Sequence, residues 1–221
     1  QLSRTGPLWY LGRKIDLNRK LPIAHTDKNW EDIFKSVTHS EAQLLIQFLR
    51  NHPEIRFVFT NHADNDNGHL DKNHINLQGK RKEDFFTPDG FYMYDTVADA
   101  RRDNSQQKAL VLHLKNELVT ELIANDYTIA SGPDNPQDPD LGRFCNEGLV
   151  YQGNIDERGI RKLDNSFEAA AVELTRLNLA KIERCFCFEI PGGLSYERNV
   201  FMQQKIVEKF ITPFLAEQGI F

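Results

Sequence analysis

Apolar residues follow two rhythms along this chain. Ala42, Leu45, Phe48 and Leu49 recur at three- and four-residue spacing, which predicts a helix. Thr38-His39-Ser40-Glu41 fits a capping box at its start, with Thr38 as N-cap and Glu41 at the N3 position. Helices are also predicted over about 105–125, with Ala109, Leu112, Val119 and Leu122 among the apolar positions, over about 166–179, and over about 196–217. The second rhythm is unbroken. Ile55-Arg56-Phe57-Val58-Phe59 and Cys185-Phe186-Cys187-Phe188 are rich in aromatic and strand-forming residues, and such runs suit strands buried on both faces.

Strands separated by helices imply an α/β fold: a mixed, largely parallel sheet with helices on both faces, in a single domain spanning 1–221. Ligands of such sheets collect beyond the carboxyl ends of the strands. Two long connections, Asp64–Asp103 and Gly132–Asn165, are polar or rich in Pro and Gly. Loops of that length are commonly functional, and these are expected to flank the cleft.

Both apolar runs end on chemistry. The first leads through Thr60 and Asn61 to His62, and the second to Glu189. An ionised carboxylate among apolar neighbours needs a partner or a raised pKa, unless Glu189 stands in solvent just past the buried part of the strand. His62 alone would read as a loop histidine bonded locally. Asn18-Arg19 sets an amide beside a planar guanidinium, a combination suited to holding a carboxylate by paired hydrogen bonds.

Composition narrows the function classes. The 221 residues are 40% hydrophobic and 27% charged, ordinary for a globular chain. No stretch has the unbroken apolar length of a membrane span. A net charge of −5 without a basic stripe disfavours nucleic acid as a partner. Of three cysteines, Cys185 and Cys187 are too close along an extended backbone to bridge, which favours a reducing, cytoplasmic compartment. Asp64-Asn65-Asp66-Asn67-Gly68 suggests a calcium loop, but with Gly68 at the sixth position Ala63 falls at the first, where an acidic ligand belongs. His69 and His74 match no structural zinc spacing and read as solvated.

Taken in order, Asp16-Leu17-Asn18-Arg19, the helix opening Ser40-Glu41-Ala42, the strand to His62 and the strand to Glu189 resemble the zinc carboxypeptidases of the carboxypeptidase A type. The resemblance covers nearly the whole chain. It implies that His62 is the later zinc ligand, that Glu189 is the general base, and that Asn18 and Arg19 bind the substrate's terminal carboxylate. It also implies an oxyanion-stabilising arginine upstream of Asn18-Arg19, for which Arg4 fits the spacing better than Arg13, and a tyrosine in a mobile loop, best matched by Tyr151.

One part of the pattern is missing. None of His25, His39, His52, His62, His69, His74 and His113 has Glu three residues later, so the family's H-x-x-E zinc motif does not occur in this chain. The expectation is an N-terminally incomplete catalytic domain. Its zinc belongs to the complete protein, and an upstream segment becomes a further partner. A catalytic zinc takes three protein ligands and keeps one position open, so these residues alone are expected to hold no stoichiometric zinc.

With that segment present, the resemblance implies hydrolysis of a C-terminal peptide bond. Two related readings stay open. One is an amidohydrolase of the aspartoacylase and succinylglutamate desuccinylase kind, acting on N-acyl amino acids. The other is a non-catalytic relative that keeps the cleft as a binding surface. A plain structural domain with chance matches is the remaining alternative.

The guanidinium of Arg19 generates a first prediction. Arg19→Lys keeps the charge and loses the planar fork. It should weaken hydrolysis of a free-acid peptide more than that of the matching C-terminal amide. Equal effects on both substrates, measured as kcat/KM on the full gene product, would remove the clamp.

Overall fold

A computed structural model describes residues 8–10, 13–15, 40–63, 90–98, 105–133, 144–152, 167–176, 178–191 and 194–220. Two short strands, β1 (Leu8–Tyr10) and β2 (Arg13–Ile15), pair antiparallel with Trp9 opposite Lys14. The remaining strands are β3 (Phe57–Ala63), β4 (Tyr92–Val97), β5 (Gly132–Pro133), β6 (Phe144–Asn146), β7 (Leu149–Gln152) and β8 (Arg184–Ile190). They form one six-stranded sheet in the order β3-β8-β4-β7-β6-β5. The helices are α1 (Ser40–Asn51), α2 (Ser105–Ala124), α3 (Phe167–Arg176), α4 (Tyr196–Ile206) and α5 (Thr212–Glu217). A π-helical turn, Val207–Ile211, joins α4 to α5 just before Pro213, whose missing N–H and ring bulk disturb the preceding turn.

The sheet is mixed. Glu183 N donates to Arg56 O at 2.7 Å, and these residues immediately precede β8 and β3, so the two strands set off side by side in the same direction. Ala98 N donates to Glu183 O at 3.0 Å, which brings the end of β4 to the start of β8 and sets those two antiparallel. β6 is antiparallel to both β5 and β7. The two expected strands are present, and strands also stand inside both stretches expected to be loops. β4 lies within 64–103, and β5, β6 and β7 lie within 132–165. In β4 the aromatic and β-branched run is interrupted by Asp95, which is buried. β6 and β7 are joined through Glu147 (φ 46) and Gly148 (φ 82), two successive left-handed residues whose twist suits a tight hairpin.

Backbone contacts divide the chain into two compact units, Gln1–Thr60 with Asp95–Arg101 and Gln152–Cys187, and Asn61–Tyr94 with Arg102–Tyr151 and Phe188–Phe221. In the first, Ala42, Ile46 and Leu49 of α1 pack with Ala171, Val172 and Leu174 of α3 against Cys185 and Val58. Phe48, expected on the buried face of α1, is 51% exposed and packs its ring on His52, with Ile46 taking the core position instead. In the second, Phe188 meets Phe210 edge-on at 5.4 Å, and Tyr127 stacks on Phe201.

α2 buries Val111, Leu114, Leu118 and Leu122, not the stripe through Ala109 and Leu112. After a polar first turn, Ala109-Leu110-Val111-Leu112 puts apolar residues on every side of the helix, so spacing alone leaves the inward face open. Lys115 belongs to that buried stripe, and its Nζ donates to Glu147 O at 3.1 Å.

β8 is buried at every position. Strand alternation puts Arg184, Phe186 and Phe188 on one face and Cys185, Cys187 and Glu189 on the other. At the start of the strand Arg184 Nε donates to Asp95 Oδ1 at 2.7 Å, with both side chains almost wholly buried. Asp95→Ala leaves a buried guanidinium without its carboxylate and should cost about 3–5 kcal/mol of unfolding free energy. Replacing both residues with apolar ones of similar volume should cost far less. Equal losses for the single and double variants in urea unfolding would show that the charges are not the source of the effect.

Candidate active site at the ends of two parallel strands

Two anchors align β3 with β8. At the start, Arg56 Nε and Nη2 donate to the two oxygens of Glu183 at 2.7 and 3.0 Å, a bidentate pair open to solvent. Farther along, the rings of Phe59 and Phe186 stack at 5.3 Å. Both strands are seven residues long, so residues that start level arrive level. His62 and Glu189, each one residue before the end of its strand, meet with Nδ1 3.1 Å from Oε1. Their side chains are 16% and 9% exposed. Glu189 is therefore not a solvated carboxylate beyond the strand.

The layer one pleat earlier is polar as well. Thr60 shares a face of β3 with His62, and Cys187 shares a face of β8 with Glu189. Thr60 Oγ1 donates to Glu168 Oε1 at 2.5 Å and lies 3.4 Å from Phe186 O. A hydroxyl carries one proton, and the shorter, charge-assisted contact takes it. Glu168 stands in the first turn of α3 and is 3% exposed. Sequence reasoning passed over Glu168, because an acid in the first turn of a helix ordinarily faces solvent and complements the helix dipole. The only signal was its place among the apolar residues of Phe167-Glu168-Ala169-Ala170-Ala171.

Imidazole and carboxylate are both zinc donors, and a carboxylate beside an imidazole can move a proton or orient the ring. The chemistry of the His62–Glu189 pair thus suits a metal-assisted hydrolytic site. Of the other residues expected there, Arg4, Asn18 and Arg19 lie outside the described residues, as do His69, His74 and the 64–68 run. Arg13 is the first residue of β2. The backbone of Tyr151 lies in β7, a strand paired with β6, and not in the loop expected for it, because the Glu147–Gly148 turn folds this segment back into the sheet. His52 bonds Glu54 at 2.7 Å, and His113 is exposed on α2. No helix among the described residues is long and apolar enough to cross a membrane.

The chain matches no protein-family profile and no curated protein. Among solved structures it is similar to a crystal structure from Shewanella baltica OS155 designated "Putative metallopeptidase", at 19% identity and a TM-score of 0.40. The match covers 81% of this chain and 47% of that one, so the chain spans about half the length of its structural neighbour.

Cys185 and Cys187 are buried, free thiols. Burial pushes the Cys185 thiol well up, and the charges of Glu168 and Asp95 add to the effect. Because the thiolate is the reactive form, iodoacetamide at pH 8 should alkylate the 185–187 segment of the folded protein at least about tenfold more slowly than the same segment in denaturant. Comparable rates in peptide mapping would contradict the buried placement of this strand.

Proposed function

We propose that the protein is a metal-dependent hydrolase that cleaves a C-terminal peptide bond or a related amide, with His62 as a zinc ligand and Glu189 as the general base. The observation that carries this reading is the 3.1 Å contact between His62 Nδ1 and Glu189 Oε1 at the carboxyl ends of two adjacent parallel strands. It joins the two residues that the carboxypeptidase resemblance assigns to metal binding and proton transfer, drawn from segments far apart in the chain. When bound, zinc supplies Lewis acidity toward the scissile carbonyl and acidifies a water.

The chain's own groups supply the remainder of the proposed reaction. Glu189 accepts the proton of the attacking water and passes it to the leaving amine. Its side chain is 9% exposed, so most of the carboxyl is withdrawn from solvent. His62 contributes one imidazole nitrogen, and a catalytic zinc needs further protein ligands beside it. Asn18 and Arg19 hold the substrate's carboxylate, Arg4 stabilises the oxyanion, and Tyr151 is the tyrosine that the resemblance assigns to the site. The carboxylate clamp of Asn18 and Arg19 makes the enzyme an exopeptidase or a hydrolase of small acidic amides.

Two variants of the full gene product test the reading. His62→Ala should lose bound zinc, read by atomic absorption. Glu189→Gln should keep zinc and fold while turnover falls about 10²–10⁴-fold, the usual contribution of a positioned general base. Near-native turnover in Glu189→Gln would sink the base assignment. A zinc affinity lowered about 10–100-fold with a smaller loss of turnover would instead make Glu189 the group that orients the ligand ring. Comparing a free-acid peptide, its C-terminal amide and an N-acyl amino acid as substrates separates carboxypeptidase from amidohydrolase.

A further inference from the structure

We infer that Thr60 and Glu168 form a positioning pair for the reaction assigned to His62 and Glu189, an inference that rests on that assignment. Glu168 is a carboxylate with 3% of its surface exposed, at a point in α3 flanked by the fully buried Ala171 and Val172. An apolar side chain there would complete the same packing without the cost of taking a charge out of water. The first turn of a helix offsets part of that cost. The carboxylate accepts a bond from Thr60 Oγ1 at 2.5 Å, which an apolar side chain could not.

Thr60 is β-branched and stiff at χ1, so fixing its hydroxyl also fixes its stretch of backbone. It stands two residues before His62, on the same face of β3. Arg56, at the far end of the strand, pairs with Glu183 in an exposed contact weakened by solvent. The buried Thr60–Glu168 bond thus anchors β3 two residues before the histidine whose alignment with Glu189 the reaction needs. A displacement of about 1 Å at a reacting group can cost about 10²-fold in rate, a sensitivity that global stability does not share.

The test uses the full gene product and the free-acid peptide, with rates referred to the folded fraction measured by circular dichroism. Thr60→Val removes the hydroxyl at nearly constant shape and should lower kcat by about 10–100-fold. KM and zinc content should stay within about twofold. Thr60→Ser should restore kcat to within about threefold of wild type, because it returns the donor. Glu168→Gln should lower kcat, and Thr60→Val/Glu168→Gln should lose no more than Thr60→Val alone, as expected for two members of one interaction. Wild-type kcat in Thr60→Val, no rescue by serine, or additive losses in the double variant would each overturn the pair. Glu189→Gln assayed in parallel separates the two readings. If it keeps near-native turnover, the assigned reaction fails and takes this inference with it. If it is inactive while Thr60→Val is unaffected, only the positioning role fails.

Discussion

The parallel pairing of β3 with β8 is the constraint on which the rest depends. A parallel neighbour brings carboxyl ends together, and equal strand lengths turn a common start into a common finish. The start is set by the Glu183 N to Arg56 O bond and by the ion pair outside it. Because side chains alternate with a period of two, a one-residue slip would send Glu189 to the opposite face and replace it beside His62 with an apolar neighbour. Register is thus a chemical variable here, since it decides whether an imidazole faces a carboxylate or a hydrocarbon.

The interior tolerates several ionisable groups, and the described ones have definite partners. Arg184 bonds Asp95, Lys115 bonds the Glu147 carbonyl, Glu168 accepts from Thr60, and Glu189 meets His62. Burying each charge is costly, and a bond to an opposite charge or an oriented dipole offsets much of that cost. These contacts do different things. Arg184–Asp95 ties the start of β8 to β4. Lys115 holds the turn of the β6–β7 hairpin. The contacts of Thr60 and His62 both lie on the face of β3 that ends at the strand's carboxyl edge. On that face the hydroxyl of Thr60 and the imidazole of His62 follow one another toward the edge.

How much of this was legible in the residues depends on how local each signal is. The runs through Phe57–Phe59 and Cys185–Phe188 announced interior strands because unbroken apolar character of that length has few other homes. The helices over 40–51, 105–124 and 196–217 were visible through three- and four-residue spacing. His62 and Glu189 stood out because each ended an apolar run. Which face of α2 turns inward was not visible, since its apolar residues lie all round and only its neighbours select among them.

What tertiary structure alone decided were the relations between distant segments. No local rule says that β8 lies between β3 and β4, and that order is what sets His62 beside Glu189 across 127 positions of chain. Asp95, Lys115 and Glu168 did not stand out, because a buried charge differs from an exposed one only in the partner it finds, and each partner comes from another element. β4 hid inside a polar stretch for the same reason, its Asp95 being satisfied by Arg184 of another strand. The sequence by itself thus determined which side chains could do chemistry at a strand end, through patterns a few residues long. The pairing of strands, a long-range property whose energy appears only when the whole sheet assembles, decided which of them meet.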